Sequence, residues 1–137
     1  MRGVGVTDAP IKIERLRKRP DFLAAARASS FARGAVVLQM RPRGDDDPVL
    51  RVGFTATRKI GGAVVRNRAK RRLRAAAQAL LPDYGRPGCD YVLIARSGAP
   101  TRPWARLLDD VKSALISLAA ESERQTPVSA TAPPPPA

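Results

Sequence analysis

The sequence predicts an α+β fold, a two-layer α-β sandwich with element order α-β-β-α-β-α around a small mixed sheet. Apolar residues recur at helical spacing in three segments, and short apolar or alternating runs of strand length lie between them. Hydrophobic residues make up 44% of the 137, enough for one core and too few residues for several. Helices packed on one face of a small sheet is the arrangement such a pattern favours.

Residues 1–13 show no period and read as a flexible N-terminal arm. A short helix falls within 15–28, where Pro20 suits a first-turn position, Asp21 complements the N-terminal dipole, and Phe22, Leu23 and Ala26 share a face. Residues 35–40 form a compact apolar run of strand length. RPRGDDDP at 41–48 is turn chemistry, and 49–57 then alternates, with Leu50, Val52, Phe54 and Ala56 on one side and Arg51, Gly53, Thr55 and Thr57 on the other. Two strands joined by a short polar loop predict an antiparallel hairpin. The main helix spans about 63–81, where Val65, Ala69, Leu73, Ala76 and Leu80 hold one face until Pro82 and Gly85 end it. A third strand covers 90–96 (DYVLIAR). The last helix opens at 101–103, with Pro103 in its first turn and Trp104, Leu107, Leu108, Val111, Leu115 and Leu118 as its buried stripe. The folded domain is therefore 14–120. Residues 121–137 read as a disordered Pro-rich tail whose four terminal prolines favour an extended chain, either plainly solvated or read by a proline-binding module.

Charge narrows the function. Lys and Arg number 25 against 12 Asp and Glu, a formal charge of +13, which calls for a polyanionic partner, nucleic acid or an anionic membrane surface. There is no His, so the usual neutral-pH general base and the commonest metal ligand are both missing. The single Cys89 excludes an internal disulfide and a multi-cysteine zinc site, and reads as a small packing residue. No apolar run is long enough to span a bilayer and no signal peptide is evident, so a cytoplasmic protein is expected.

The cations cluster. Between Pro48 and Pro82 there is no carboxylate, and that window holds nine cations: Arg51, Arg58, Lys59, Arg66, Arg68, Lys70, Arg71, Arg72 and Arg74. On a helical wheel Arg66, Asn67, Lys70, Arg71 and Arg74 fall opposite the apolar stripe, with Arg68 and Arg72 flanking it. A merely solvated face mixes signs, and like charges four apart weaken a helix by a few tenths of a kcal/mol per pair. Nucleic-acid contact explains the unrelieved repulsion, and arginine guanidinium groups suit phosphate and base stacking. Asn67, a poor helix former amid the cations, fits a contact to sugar or base edges, or simple tolerance on an exposed face. Gly61 and Gly62 in the preceding turn suit close approach of a phosphate, or turn conformation alone, and no P-loop pattern follows them.

Read as a whole, RVGFTATRKIGGAVVRNRAKRRLR (51–74) closely resembles the signature of the bacterial ribonuclease P protein subunit, with Arg66-Asn67-Arg68, Lys70-Arg71 and Arg74 as its most specific mark. RLRKRPDFLAAA and DYVLIARSGA extend the resemblance over about 15–118. It implies a left-handed β-α-β crossover, where general statistics favour right-handed ones. It also implies a role: an auxiliary protein beside a large catalytic RNA that removes the 5′ leader of precursor tRNA, with no catalytic residue and no metal site of its own. The cofactor it implies is divalent metal (Mg) in the RNA holoenzyme, none being bound by the protein alone. The partners it implies are the catalytic RNA and precursor tRNA, with no membrane and no obligate protein partner. Arg58, Lys59, Arg66, Asn67, Arg68, Lys70, Arg71 and Arg74 match the positions that contact the catalytic RNA. Phe22, Met40, Arg51, Thr55 and Thr57 match the cleft that takes the single-stranded leader. Phe22 is then a stacking platform, although its place on an amphipathic helix suits a core residue equally, and the two threonines also suit ordinary strand composition. Ala26 and Met40 stand where relatives often carry aromatics, leaving fewer stacking surfaces. A structural RNA-binding protein, such as a small ribosomal protein, is the competing reading. A membrane-surface binder would want Leu or aromatic anchors opposite the cations, where this helix carries mostly Ala.

Overall fold

The computed structural model describes residues 11–131, with side chains described for 11–122. Along the chain run β1 (Ile13–Arg15), α1 (Arg19–Ala26), β2 (Ser29–Arg33), β3 (Val36–Pro42), β4 (Leu50–Ala56), a single 3-10 turn at Arg58–Ile60, α2 (Ala63–Tyr84), β5 (Cys89–Ala95) and α3 (Trp104–Thr131). The fold is α+β as expected, with two strands more than the predicted order. Ile11 and Ile13 pack against the core, so the sheet begins inside the segment expected to be an arm. Residues 1–10 and 132–137, which hold most of that arm and the end of the Pro-rich tail, lie outside the described residues. The last helix runs on past 120.

The five strands are ordered β1-β4-β5-β3-β2. β4 runs parallel to both β1 and β5, and β3 is antiparallel to both β5 and β2. The predicted hairpin between β3 and β4 is therefore incorrect: the two strands run in opposite directions, but β5 lies between them. The physical reason is the composition of β5. Six of its seven residues are buried, so it needs a neighbour on each edge and cover on both faces. The hairpin that does form joins β2 to β3 around Gly34, whose φ of 54° suits glycine and whose Cβ, if present, would collide with the Asp110 carboxylate.

Strand alternation divides the core in two. Leu38, Met40, Leu50, Val52, Tyr91 and Leu93 point down onto α2 and α3, meeting Leu73, Ala76, Leu81, Leu107, Val111, Leu115 and Leu118. Each buried Leu there contributes about 1.5–3 kcal/mol over an exposed one. On the other face Val92 and Ile94 meet Leu16, Phe22 and Ala25, so α1 covers the opposite side of the sheet from the long helices. This replaces the expectation of helices on one face only. α2 passes through Pro82 to Tyr84, because Leu81 is buried, Tyr84 packs on the core and the Gly85 N–H still reaches the Leu81 carbonyl at 2.8 Å. Burial pushes the Cys89 thiol up, consistent with a packing role.

Candidate nucleic-acid interface

The carboxylate-free segment folds into β4, the 3-10 turn and the first half of α2. Arg58 and Lys59 are exposed on the turn. Gly61 follows at φ 141°, and a Cβ there would sit 2.9 Å from that of Val65, so only glycine lets the chain enter α2 at this angle. Gly62 caps the helix with extended backbone.

On α2 the cations sort into three groups. Asn67, Arg68 and Arg71 are exposed, and among the described residues no side-chain hydrogen bond or ion pair engages them. Arg66, Lys70 and Arg74 form a half-buried row. Arg66 donates to the Gly61 carbonyl at 3.0 Å, and the Arg74 guanidinium lies 5.7 Å from the centre of the Phe54 ring. Arg72 turns to the other side. It donates to the carbonyls of Ala99 (2.6 Å) and Arg102 (2.5 Å) and lies 6.0 Å from the Trp104 ring, clasping α2 to the entry of α3. The wheel is thus corrected in two places. Arg68 belongs to the open face, and Arg66, Lys70 and Arg74 flank it. The buried stripe is Ala69, Leu73, Ala76, Ala77 and Leu81, rotated from the predicted one because α3 and the sheet approach from adjacent sides.

On the other side of the molecule α1 packs over the upper face of the sheet, where the leader cleft was expected. Phe22 is half-buried against Leu16, Ala25, Val92 and Ile94. A Cβ at residue 53 would lie 2.5 Å from its ring, so Gly53 makes room for the aromatic. Arg51 and Thr55 share this face with Gly53, opposite Asp90 and Ile94 of β5. Thr57 sits just past the strand as the exposed N-terminal cap of the 3-10 turn. Met40 does not reach the cleft. It is 2% exposed beneath the sheet beside Tyr91, because strand alternation sends Gln39 and Arg41 to the α1 side and Met40 to the core.

The sequence reading missed the ion-pair network where β3, β4 and β5 meet α1. Asp90, 0% exposed, accepts hydrogen bonds from Arg51 Nε (2.9 Å) and Nη2 (3.0 Å), from Arg43 Nη1 (2.9 Å) and, more weakly, from Arg41 Nη1 (3.4 Å). Arg43 also holds the 45–49 loop, reaching the carbonyls of Asp47 and Val49 and the carboxylate of Asp45, whose pKa that hydrogen bond lowers. The available signal was a carboxylate opening an otherwise apolar central strand, a position tolerated only with cationic partners.

Among the described residues no three His, Cys, Asp or Glu side chains are grouped so as to hold a metal ion, and no helix is long and apolar enough to cross a membrane. The exposed Arg-rich face of α2 and the overall basicity define a small basic RNA-binding protein. A family model described as Ribonuclease P matches residues 11–119, and the chain belongs to the bacterial ribonuclease P protein family, the protein subunit of ribonuclease P. It is 68% identical over 121 residues to the ribonuclease P protein component of Caulobacter vibrioides, covering 87% of this chain and 81% of that one. The corresponding protein of Ruegeria pomeroyi is 55% identical over 105 residues, covering 75% and 84%. The RNase P protein of Thermotoga maritima superposes with a TM-score of 0.61 at 27% identity, over 72% of this chain and 92% of that one. The Staphylococcus aureus RNase P protein shares the fold, with a TM-score of 0.63 at 24% identity over 77% and 94%.

Proposed function

We propose that the chain binds the catalytic RNA of ribonuclease P through Asn67, Arg68 and Arg71, flanked by Arg58, Lys59, Arg66, Lys70 and Arg74. The cleft lined by Phe22, Arg51, Gly53 and Thr55 then receives the single-stranded 5′ leader of precursor tRNA, which the holoenzyme removes in the cytoplasm. The observation that carries this reading is the open face of α2, where two guanidinium groups and an amide stand without protein partners on a helix that has no carboxylate before Asp83. Unrelieved charge of this kind costs helix stability unless phosphates neutralise it. In this reading the cleft side chains supply stacking and charge, the protein contributes positioning and electrostatics, and divalent metal and bond cleavage belong to the RNA.

Reconstitution tests it. The chain mixed with its catalytic RNA should raise precursor-tRNA cleavage at low magnesium and tighten precursor binding. Binding to the RNA without either gain would favour a purely structural RNA-binding role.

A second expected result concerns the leader. Phe22→Ala should weaken precursor tRNA binding by the holoenzyme by about 1–3 kcal/mol, the worth of one base stacked on an aromatic ring, with little change for mature tRNA. Competition binding with the two tRNAs checks it. Equal losses would return Phe22 to the small core it shares with Val92 and Ala25.

A further inference from the structure

The geometry points to a phosphate seat at the mouth of the cleft, formed by Arg41 and Arg51, positioned by Asp90 and filled in the free protein by the carboxylate of Asp21. This inference rests on the leader occupying the cleft, and it names the contact that the leader's backbone must displace. Four charged side chains converge there in two tiers. The inner tier is tight: Arg51 spends Nε and Nη2 on the two oxygens of Asp90, at 2.9 and 3.0 Å, and Asp90 is fully buried. The outer tier is loose: Arg51 Nη1 lies 3.5 Å from one oxygen of Asp21, and Arg41 Nη1 lies 3.9 Å from the other. The side chains of Asp21, Arg41 and Arg51 retain 24%, 31% and 26% exposure.

The asymmetry decides which partner exchanges. Breaking the Asp90 contacts would strand a buried carboxylate, a cost of several kcal/mol in any protein. The outer contacts exceed hydrogen-bond distance and face water, so they are worth no more than an exposed ion pair. Asp90 therefore fixes the Arg51 guanidinium with Nη1 turned toward Asp21, while Arg41 Nη1, 3.4 Å from Asp90, reaches toward the same Asp21 carboxylate. That group is a single negative charge carried on two terminal oxygens. A phosphodiester presents the same charge on the same pair of oxygens, and guanidinium groups recognise both. Asp21 adjoins Phe22, so a strand stacked on that ring passes the seat. Charge closes the argument. Asp21, Asp45 and Asp90 together balance Arg41, Arg43 and Arg51, with Arg43 shared between Asp45 and Asp90. When Asp21 leaves, one unit of positive charge opens to whatever anion enters.

The consequence is that Asp21 is an internal competitor that lowers affinity for the leader. The test uses the holoenzyme reconstituted with its catalytic RNA, with dissociation constants measured for precursor and mature tRNA. Asp21→Asn should tighten precursor binding about two- to fivefold, the range of one exposed ion pair, and leave mature tRNA unchanged. Asp21→Glu should behave as the wild type. Arg41→Gln added to Asp21→Asn should abolish the gain, because the seat loses one wall. Unchanged or weaker precursor binding by Asp21→Asn, with the protein still folded by its melting midpoint, would overturn the inference and make Asp21 a plain clamp on α1. Equal tightening for both tRNAs would also overturn it, as a general charge effect. The underlying reading fails separately: a wild-type holoenzyme that does not prefer precursor over mature tRNA removes the leader from the cleft altogether. A wild type with that preference, beside a neutral Asp21→Asn, removes only the seat.

Discussion

Arg68→Ala combined with Arg71→Ala is expected to weaken assembly with the catalytic RNA about a hundredfold while leaving the fold intact. Each residue is exposed, and no hydrogen bond or ion pair among the described residues engages its side chain, so its removal frees no buried partner. Relief of like-charge repulsion should even steady α2 slightly. What is lost is two charge-assisted contacts to phosphate, each worth roughly 1.5 kcal/mol or more, or about tenfold in affinity. The salt dependence should report the same loss independently. For each phosphate contact removed, the slope of log affinity against log salt should fall by about 0.7–0.9. Titration of the RNA at several salt concentrations reads both numbers. An unchanged slope would mean that these side chains face solvent in the complex. Arg72→Ala is the informative contrast. That residue clasps the Ala99 and Arg102 carbonyls, so its loss should appear in stability before it appears in RNA affinity.

Asp90→Ala should produce the largest change in stability, about 3–5 kcal/mol, because it leaves buried cations without their counter-ion. The Arg43 side chain is only 4% exposed and Arg51 26%, and both lean on this one carboxylate. At a few degrees per kcal/mol, the thermal midpoint should fall by roughly 10 °C or more. Urea unfolding measures the free energy directly. Arg41→Met provides the comparison: that side chain is 31% exposed and touches Asp90 at 3.4 Å, so its loss should cost about 1 kcal/mol or less. If Asp90→Ala also cost under about 1 kcal/mol, the network would be an incidental pairing and not the support of the cleft.

Legibility differed between the two functional surfaces. The basic helix face proposed for the RNA was readable because its evidence is local: nine cations without a carboxylate are visible in the string, and a helix wheel converts them into a face. Even so, the wheel misplaced Arg68 and left Arg72 as a mere flank. Which side of α2 is buried depends on where α3 and the sheet press on it, and that is long-range information. The cleft was harder. Alternation along β4 correctly put Arg51, Gly53 and Thr55 on one side. Met40 was placed in the cleft by resemblance alone, and its own strand's alternation sends it to the core. β1 and β2 escaped notice because a three-residue strand shows no period and SSFAR reads as polar edge. Asp90 looked like the polar start of a strand, yet its partners Arg41, Arg43 and Arg51 lie 39 to 49 residues away in the chain.

By itself the sequence determined the class of the fold, the polyanionic nature of the partner, the helix that gathers the cations and the lack of histidine. These follow from composition and short-range period, which depend only on neighbours in the chain. The tertiary structure alone decided that β5 separates β3 from β4, that α1 covers the opposite face from α2 and α3, and that Asp21 and Asp90 pair with the same arginines. Strand order is set by which segment must be buried on both faces, and ion pairing by which side chains the sheet register brings within reach. Both are properties of the assembled core, where residues far apart in the chain become neighbours.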